Sequence, residues 1–169
     1  EEITKQLKFL FPRVEIYSIY RSPKGNDIWI LTLNKGIFYC KDGDVSHLIN
    51  YGMSVPDPHK ISSNEVYCIF EDRSGNIWIG TKNSGINVAC SKVDKFKTVN
   101  VIGSDHPDLQ TTIRAIYQEK NSKLWIGTYN NGIVIKQGEK IERIHLATQG
   151  KLDKWDWVRY IYQSKDQYI

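Results

Sequence analysis

The sequence predicts an all-β fold, a β-propeller whose blades each contain four antiparallel strands. Three related segments indicate this fold: GNDIWILTLNKGIFY around Trp29, SGNIWIGTKNSGINV around Trp78 and NSKLWIGTYNNGIVI around Trp125. The tryptophans lie 49 and 47 residues apart, and a repeat of this length is typical of propellers. The 169 residues hold about three and a half repeats, whereas closed propellers have ~4 to 8 blades. We therefore expect a fragment of a larger propeller.

The central repeat shows why four strands are expected in each blade. Val66 to Phe70 and Ile77 to Thr81 are β-branched and aromatic runs, which favour strands. The polar turn between them contains Gly75, and Gly tolerates the positive φ of a tight turn. A second polar break precedes Ile86 to Ala89, and Phe96 to Val99 follows after another. These runs predict two consecutive hairpins.

The first strand of each repeat carries apolar residues three positions apart. They are Ile16 with Ile19, Val66 with Ile69, Ile113 with Ile116, and Val158 with Ile161. Residues three apart lie on opposite faces of a regular strand, so we expect this inner strand to be covered on both sides. In the second strand Trp78 shares a face with Gly80, as Trp125 does with Gly127. The missing side chain leaves room for the adjacent sheet.

The repeat alignment also predicts the boundaries of the blades within one propeller domain. Residues 1–13 are expected to form the outer strand of a preceding blade, and 151–169 to begin a further blade. Residues 14–60, 61–108 and 109–150 should each form one blade. An open stack exposes two sheet faces. The remaining blades are therefore expected on both sides of the fragment or from a second copy of the chain.

The composition is that of an ordinary folded domain. It is 40% hydrophobic, 12% aromatic and 25% charged, all within the usual range. No run of 18 apolar residues occurs, as a membrane-spanning helix would need. The net charge of +4 is mild and the lysines are scattered, so we expect no nucleic-acid partner.

The residue pattern predicts no metal, no cofactor and no catalytic residues. Cys40, Cys68 and Cys90 lack the short spacings of a metal cluster, and the four histidines are not paired at ligand spacing. Motifs of nucleotide-binding proteins, serine hydrolases and metalloproteases are absent. The acidic pair Glu71 and Asp72 lies in a hairpin turn, where its role is structural. We therefore expect this segment not to be an enzyme.

The stretch NEVYCIFEDRSGNIWIGTKNSGINV resembles the two-component regulator propeller repeat. The second copy matches the family pattern at Asn64, Asp72, Gly75, Asn76, Ile77, Trp78, Ile79, Gly80, Thr81 and Gly85. The third keeps Leu124, Trp125, Ile126, Gly127, Thr128 and Gly132, with Lys120 aligned to the Asp and Lys123 to the Asn. The first keeps Trp29, Ile30, Thr32 and Gly36 but has Leu31 for the central Gly. The resemblance covers about residues 14–169.

The resemblance implies a sensor segment on the periplasmic side of a membrane-anchored receptor. In that family, propeller repeats build the sensor of hybrid two-component systems, which control a cytoplasmic histidine kinase and transcription regulation. The resemblance also implies an oligosaccharide as the ligand and a homodimer of the parent receptor. None of the kinase's residues is present in this chain.

We expect the ligand on one face of the propeller, here called the entry face. It is the face where the loop entering the first strand and the loop joining the second strand to the third emerge near the axis. Sugars bind flat aromatic surfaces and planar polar groups. The candidate ligand-binding residues on this face are Trp155, Trp157, Arg159, Arg114, Tyr129, Asn130, Asn64, Lys82 and Asn83.

Some of these candidates have alternative roles. Trp157 either contacts ligand or packs between blades, whereas Trp155 is less constrained by the repeat. Arg114 and Arg159 occupy the same repeat position, and they either face an anionic group or bridge adjacent blades. Two other functions stay open for the whole segment: a scaffold for protein or receptor-dimer assembly, and a propeller lyase or hydrolase.

Overall fold

The computed structural model describes residues 5, 7, 9, 11–54, 60–90, 93–99, 111–145 and 156–164. These residues form three four-stranded antiparallel sheets, which confirms the predicted all-β fold. The first sheet contains β1 (Ile16–Arg21), β2 (Ile28–Thr32), β3 (Ile37–Cys40) and β4 (Leu48–Tyr51). The second contains β5 (Val66–Glu71), β6 (Ile77–Thr81), β7 (Ile86–Cys90) and β8 (Val93–Val99). The third contains β9 (Ile113–Gln118), β10 (Leu124–Thr128), β11 (Ile133–Gln137) and β12 (Lys140–Ile144).

Each sheet is a meander, because its strands lie side by side in chain order. A short 3-10 turn, Lys41–Gly43, lies between β3 and β4. The registers of the inner hairpins agree between blades: Phe70 pairs with Trp78 in the second, and Tyr117 with Trp125 in the third. The repeated sequence therefore gives a repeated backbone.

A β-bulge interrupts the inner strand of each sheet. In β5, Val66 pairs with Thr81 and Cys68 pairs with Gly80. Tyr67, between them, is an extra residue that has no partner residue on β6. Tyr17 in β1 and Arg114 in β9 are the corresponding extra residues. A bulge of this kind bends the strand and changes which face the following side chains occupy.

The bulge shows that the prediction of opposite faces for the apolar residues of the inner strand is wrong. Ile113 and Ile116 pair with Thr128 and Ile126. These two partners are two residues apart on β10, so they share a face. Ile113 and Ile116 consequently lie on one face, and both are buried in the same cluster as Leu124. The extra residue between them removes the alternation that a regular strand would show.

The sheets pack face to face through two apolar clusters. Between the first and second blades, Trp29 and Leu31 of β2 lie in one cluster with Val66 and Ile79. Between the second and third blades, Trp78 and Phe70 pack against a cluster that includes Ile113, Ile116 and Ile126. Ile79 and Ile126 are fully buried, and each such side chain contributes about 1.5–3 kcal/mol. The tryptophan face of each blade thus covers the opposite face of the next one.

Glycine in the second strand allows adjacent blades to approach closely. A Cβ at Gly80 would lie 2.7 Å from Ile113 Cγ2 and would also overlap Cys68 Sγ. A Cβ at Gly127 would lie 2.7 Å from Val158 Cγ1. In the first blade Leu31 takes this position and is almost fully buried. The inner strand of the following blade therefore occupies the space that the absent side chain leaves.

Carboxylates in the hairpin turn anchor two of the tryptophans. Trp78 Nε1 donates a hydrogen bond to Asp72 Oδ2 at 3.1 Å, and Trp125 Nε1 donates to Glu119 Oε1 at 2.5 Å. Glu119, and not Lys120, is therefore the structural counterpart of Asp72, which corrects the sequence alignment at this turn. The longer Glu side chain preserves the same hydrogen bond.

Residues 1–13 are predicted to form the outer strand of a preceding blade, and the structure describes residues 5, 7, 9 and 11–13 of this segment. The described residues in this segment include three with helical backbone: Lys5, Leu7 and Phe9. The Phe11 N–H donates to the Leu7 carbonyl at 2.8 Å, which is the spacing of an α-helical bond. Leu7 is fully buried in a cluster with Phe38. Leu7 therefore packs against Ile30 and Phe38 of the first sheet.

The predicted start of a further blade is described over residues 156–164, which have no strand assignment. Val158 is buried, and its N–H donates to the Thr128 carbonyl at 3.0 Å. This segment therefore packs against the third blade. The other boundaries of the blades stay predictions. Across the described ranges, no helix has the length and apolar character that crossing a membrane requires.

Gly80→Ala should destabilise the fold by about 1–3 kcal/mol, because the added methyl overpacks the contact with Ile113. Gly25→Ala is the matched control, since nothing lies within 4 Å of a Cβ at that position, and it should change stability by less than about 0.5 kcal/mol. Urea unfolding measures both values. Equal stability of the two variants would contradict the proposed close approach of the blades.

Asp72→Asn should make the stability less dependent on acidic pH. Burial raises the pKa of the Asp72 carboxyl, but hydrogen bonds from Trp78 and Asn76 outweigh it and hold the pKa below the ordinary value of 3.8. A lowered pKa in the folded state means that the carboxylate stabilises the fold above about pH 4. This contribution is lost as the pH falls through the folded-state pKa.

The difference in unfolding free energy between the unsubstituted chain and Asp72→Asn should therefore shrink from pH 7 to pH 3. Urea unfolding at several pH values measures this difference. A difference that stays constant over this range would rule out the Asp72 carboxylate as its source.

Candidate functional site

The extra residues of the bulges gather at one cavity. Tyr17, Tyr67 and Arg114 hold the bulge position in the three sheets. Arg159 follows Val158 as Arg114 follows Ile113 in the repeat. All four side chains line the same cavity of about 560 Å³. A backbone irregularity repeated in each blade thus places one side chain per blade in a common row.

The side chains of this row contact one another across the blades. The rings of Tyr17 and Tyr67 meet edge to face, with centroids 5.3 Å apart. The Arg114 guanidinium lies over the Tyr67 ring at 3.9 Å and 5.5 Å from the ring centre of Tyr129. A guanidinium over an aromatic face is stabilised by the ring quadrupole. Arg114 therefore bridges the second and third blades through aromatic contacts.

Two aromatic residues extend the row toward the following segment. Trp157 stacks on Tyr129 with centroids 4.5 Å apart and an interplanar angle of 26°. Arg159 lies 5.9 Å from the Trp157 ring centre. We call the set Tyr17, Tyr67, Arg114, Tyr129, Trp157 and Arg159 the entry-face strip. Its rings and guanidinium groups contact one another in sequence from Tyr17 to Arg159.

Trp157 packs against the loop between β10 and β11. Besides stacking on Tyr129, its Nε1 donates to Asn130 Oδ1 at 2.7 Å. The sequence left open whether Trp157 packs between blades or contacts ligand. The structure shows the packing, while the residue as a whole remains only half-buried. Asn130 positions the indole through this hydrogen bond.

Lys82 lies beside the strip and is paired with an acidic residue. Its Nζ lies 2.8 Å from Glu65 Oε2, and the hydrogen bond with Glu65 raises the pKa of Lys82. Tyr67 donates its hydroxyl to the same Glu65 oxygen at 3.4 Å. Because Glu65 neutralises Lys82, this pair adds no net charge to the face.

Two predicted asparagines are engaged in contacts within the fold. Asn83 Oδ1 accepts the Thr112 hydroxyl at 3.1 Å. The backbone carbonyl of Asn64 accepts the Gly36 N–H at 2.9 Å, and the side-chain Oδ1 of Asn64 accepts the Met53 N–H at 2.8 Å. Asn64 thus joins the first blade to the second and is not part of the strip. Trp155, also predicted as a ligand residue, lies outside the described residues.

The strip carries positive charge. Among the residues that the structure describes, no carboxylate forms an ion pair with Arg114 or Arg159. Guanidinium groups donate paired hydrogen bonds to carboxylate, sulfate or phosphate oxygens. Aromatic faces pack against the C–H faces of sugars. No cluster of ligating side chains that could hold a metal ion occurs within the described ranges.

Sequence reasoning missed three residues of this site: Tyr17, Tyr67 and Glu65. The signal for the tyrosines was present, because both hold the repeat position of Arg114 and Arg159. The bulge that turns this position toward the cavity cannot be predicted from the residue types of the strand.

Two segments match a known family. Residues 60–83 and 108–130 match the model of the two-component regulator propeller. These two segments are similar to two-component regulator propeller repeats. The matched segments include Tyr67, Arg114 and Tyr129, which form the centre of the entry-face strip. A comparison with curated proteins finds no significant match.

Solved structures share the fold of these propeller repeats. The extracellular domain of BT4673 from B. thetaiotaomicron, named in one structure as a one-component system and in another as a hybrid two-component system, superposes over 90% of this chain. Its TM-scores are 0.51 and 0.50, at 12% identity. PorZ of Porphyromonas gingivalis, a bacterial surface component of the type-IX secretion system, has a TM-score of 0.54 at 16% identity over 89% of this chain.

The chain spans about a quarter of the length of these natural proteins, 25% of BT4673 and 23% of PorZ. The computationally designed protein Ika4 is similar over 92% of this chain and 89% of its own, with a TM-score of 0.59 and 16% identity. At such identities the similarity establishes the fold.

Proposed function

We propose that this chain is part of the extracytoplasmic sensor of a two-component signal transduction receptor and that it binds an acidic oligosaccharide on the entry-face strip. The observation that carries the proposal is the strip itself. Arg114 lies on Tyr67 and next to Tyr129, with no carboxylate of the described residues in ion-pair distance. This combination suits a ligand with both a sugar face and an anionic group.

The ligand class follows from the chemistry of the strip. Tyr67, Tyr129 and Trp157 offer ring faces to sugar C–H groups. Arg114 and Arg159 lie in the same repeat position of successive segments, so they can hold acidic groups on neighbouring sugar units. Two guanidinium groups without an ion-pair partner among the described residues favour a carboxylated or sulfated oligosaccharide over a neutral one.

The position of the strip suggests how binding acts on the receptor. The strip crosses from the first blade, at Tyr17, to the segment after the third, at Arg159. A ligand that contacts several blades favours the blade geometry to which it binds more tightly. A change of this geometry would be passed to a cytoplasmic histidine kinase. The periplasmic location and the kinase are proposed from the regulator propeller repeats.

A scaffold function is the second candidate. Tyr160 and Tyr162 are 86% and 76% exposed in the segment that follows the third blade. Large aromatic side chains at such exposure are suited to packing against further blades or a second receptor chain. In this case the segment would support assembly of the receptor dimer and would bind no saccharide itself. Turnover by a propeller lyase or hydrolase is the third candidate.

Arg114→Gln should weaken the binding of an acidic oligosaccharide by about 1.5–3 kcal/mol, because it removes charge-assisted hydrogen bonds. Isothermal titration calorimetry on the full-length receptor's sensor region, with a panel of neutral and acidic oligosaccharides, measures the affinities. Arg73→Gln is the matched control, since Arg73 is an exposed arginine in the β5–β6 turn. It removes the same charge and should leave the affinity unchanged.

Three results would count against the proposal. No binding by any saccharide would favour the scaffold. An equal loss of affinity in Arg114→Gln and Arg73→Gln would show that the overall charge of the protein causes the effect, and not a contact with the strip. Release of shortened sugars during incubation, seen by chromatography, would favour the lyase or hydrolase.

A further inference from the structure

A second cavity, of about 480 Å³, lies between the first and second blades. None of the residues of the entry-face strip lines it. Its walls include the aromatic residues Trp29, Tyr39, Tyr51 and Phe96 and the acidic residues Asp27 and Glu71. We call it the wedge cavity. Its volume is within the range of pockets that hold small molecules.

The aromatic residues form a continuous wall. The Trp29 ring lies 4.5 Å from the ring of Tyr39 and 6.2 Å from that of Tyr51, at interplanar angles of 34° and 29°. Phe96, from β8 of the second blade, meets Tyr51 edge to face at 4.9 Å. Both blades therefore contribute to the wall, and the ring faces suit an apolar sugar face or a cation.

The indole N–H of Trp29 lacks the partner that its counterparts have. Trp78 and Trp125 donate to Asp72 and Glu119, but Ser22 replaces this acidic residue in the first blade. The Ser22 hydroxyl instead donates to Glu71 Oε2 at 2.6 Å. Within the part of the chain that the structure describes, Trp29 Nε1 has no hydrogen-bond acceptor.

Trp29 lines the wedge cavity, and its indole N–H is not fully buried. Trp29 is only 7% exposed, yet no fully buried side-chain nitrogen or oxygen among the described residues lacks a partner. The Trp29 N–H must therefore retain access to solvent, and Trp29 lines the cavity. An N–H in this setting can donate to water or to a bound molecule, and a molecule that displaces the water must supply an acceptor, because an unmade hydrogen bond is costly.

The charge of the cavity is negative. Glu71 is paired with Lys24 at 3.5 Å, whereas Asp27 and Asp42 have no ion-pair partner among the described residues. The Asp27 carboxylate accepts the Tyr39 hydroxyl and the Asp42 N–H, each at 2.9 Å. A carboxylate has about four lone-pair sites, so Asp27 can accept further hydrogen bonds from a ligand.

We propose that the wedge cavity binds a basic, polyhydroxylated ligand of monosaccharide size, that is, an amino sugar. A hydroxyl oxygen of the ligand accepts from Trp29 Nε1, and its ammonium group faces Asp27. The sugar's C–H face packs on the wall of Trp29 and Tyr51. An acidic sugar is disfavoured here by the carboxylates of Asp27 and Asp42, which have no ion-pair partner in the described part of the chain. This site is separate from the entry-face strip, and it does not depend on the function proposed there.

Indole N–H signals in two-dimensional ¹⁵N NMR spectra test the proposal, with D-glucosamine as the probe and D-glucose as the neutral comparison. Titration of the chain should shift the Trp29 signal in a saturable manner and leave the Trp78 signal in place. Glucosamine should bind at least fivefold more tightly than glucose, because only glucosamine carries the positive charge. The signal is assigned with Trp29→Phe.

Two variants test the contacts, and thermal unfolding verifies that each is folded. Trp29→Phe keeps an aromatic ring, although a smaller one, and removes the N–H; it should weaken glucosamine binding about fivefold. Asp27→Asn removes the charge while keeping an acceptor for Tyr39, and should weaken binding about tenfold. Trp78→Phe is the matched control and should bind glucosamine as well as the unsubstituted chain.

The proposal is overturned if no probe gives a saturable shift, if glucose binds as tightly as glucosamine, or if Trp29→Phe retains full affinity. If Asp27→Asn does not fold, the Trp29→Phe result decides. Arg114→Gln should leave glucosamine binding unchanged. The wedge cavity and the entry-face strip can therefore fail independently.

Discussion

The contact between the second-strand glycine of one blade and the inner strand of the next is the constraint on which this structure depends. Ile113 lies where a side chain at Gly80 would be, and Val158 does the same at Gly127. The resulting short distance lets the tryptophan beside each glycine cover the next sheet. It also fixes the distance between neighbouring inner strands, and so the positions of the residues that face the cavity.

Much of the fold could be predicted from the sequence, because the repeated segments indicate the strands, the turns and the close contacts between blades at the same time. Trp78 and Gly80 recur with the same spacing as Trp125 and Gly127, which a single strand pattern would not establish. The faces of the inner strand could not be predicted. An extra residue at Tyr67 leaves the hydrophobic pattern intact while reversing the alternation. Register depends on the partner strand, which the local sequence does not show.

The site was predicted in part for the same reason. Repeat position identified Arg114 and Arg159 as equivalent, and the loops identified Tyr129 and Trp157; the structure brings all four into one strip. The role of the asparagines could not be predicted in this way, because an amide side chain can form hydrogen bonds with a ligand or within the fold equally well. The hydrogen bonds that Asn64 accepts from Met53 and Gly36 show that it links parts of the fold. The same holds for Trp29, whose missing acceptor becomes visible only beside Trp78.

The bulge assigns the packing between blades and the lining of the cavity to different residues of the inner strand. Val66 and Ile69 hold the blades together, while Tyr67 between them faces the cavity and carries none of the core. Each blade therefore presents one replaceable side chain at a fixed point in space. The chemistry of this row can change through single substitutions, one blade at a time, without repacking the interior. A duplicated blade would bring one more such position, so the chemistry of the cavity surface can evolve largely independently of the scaffold's stability.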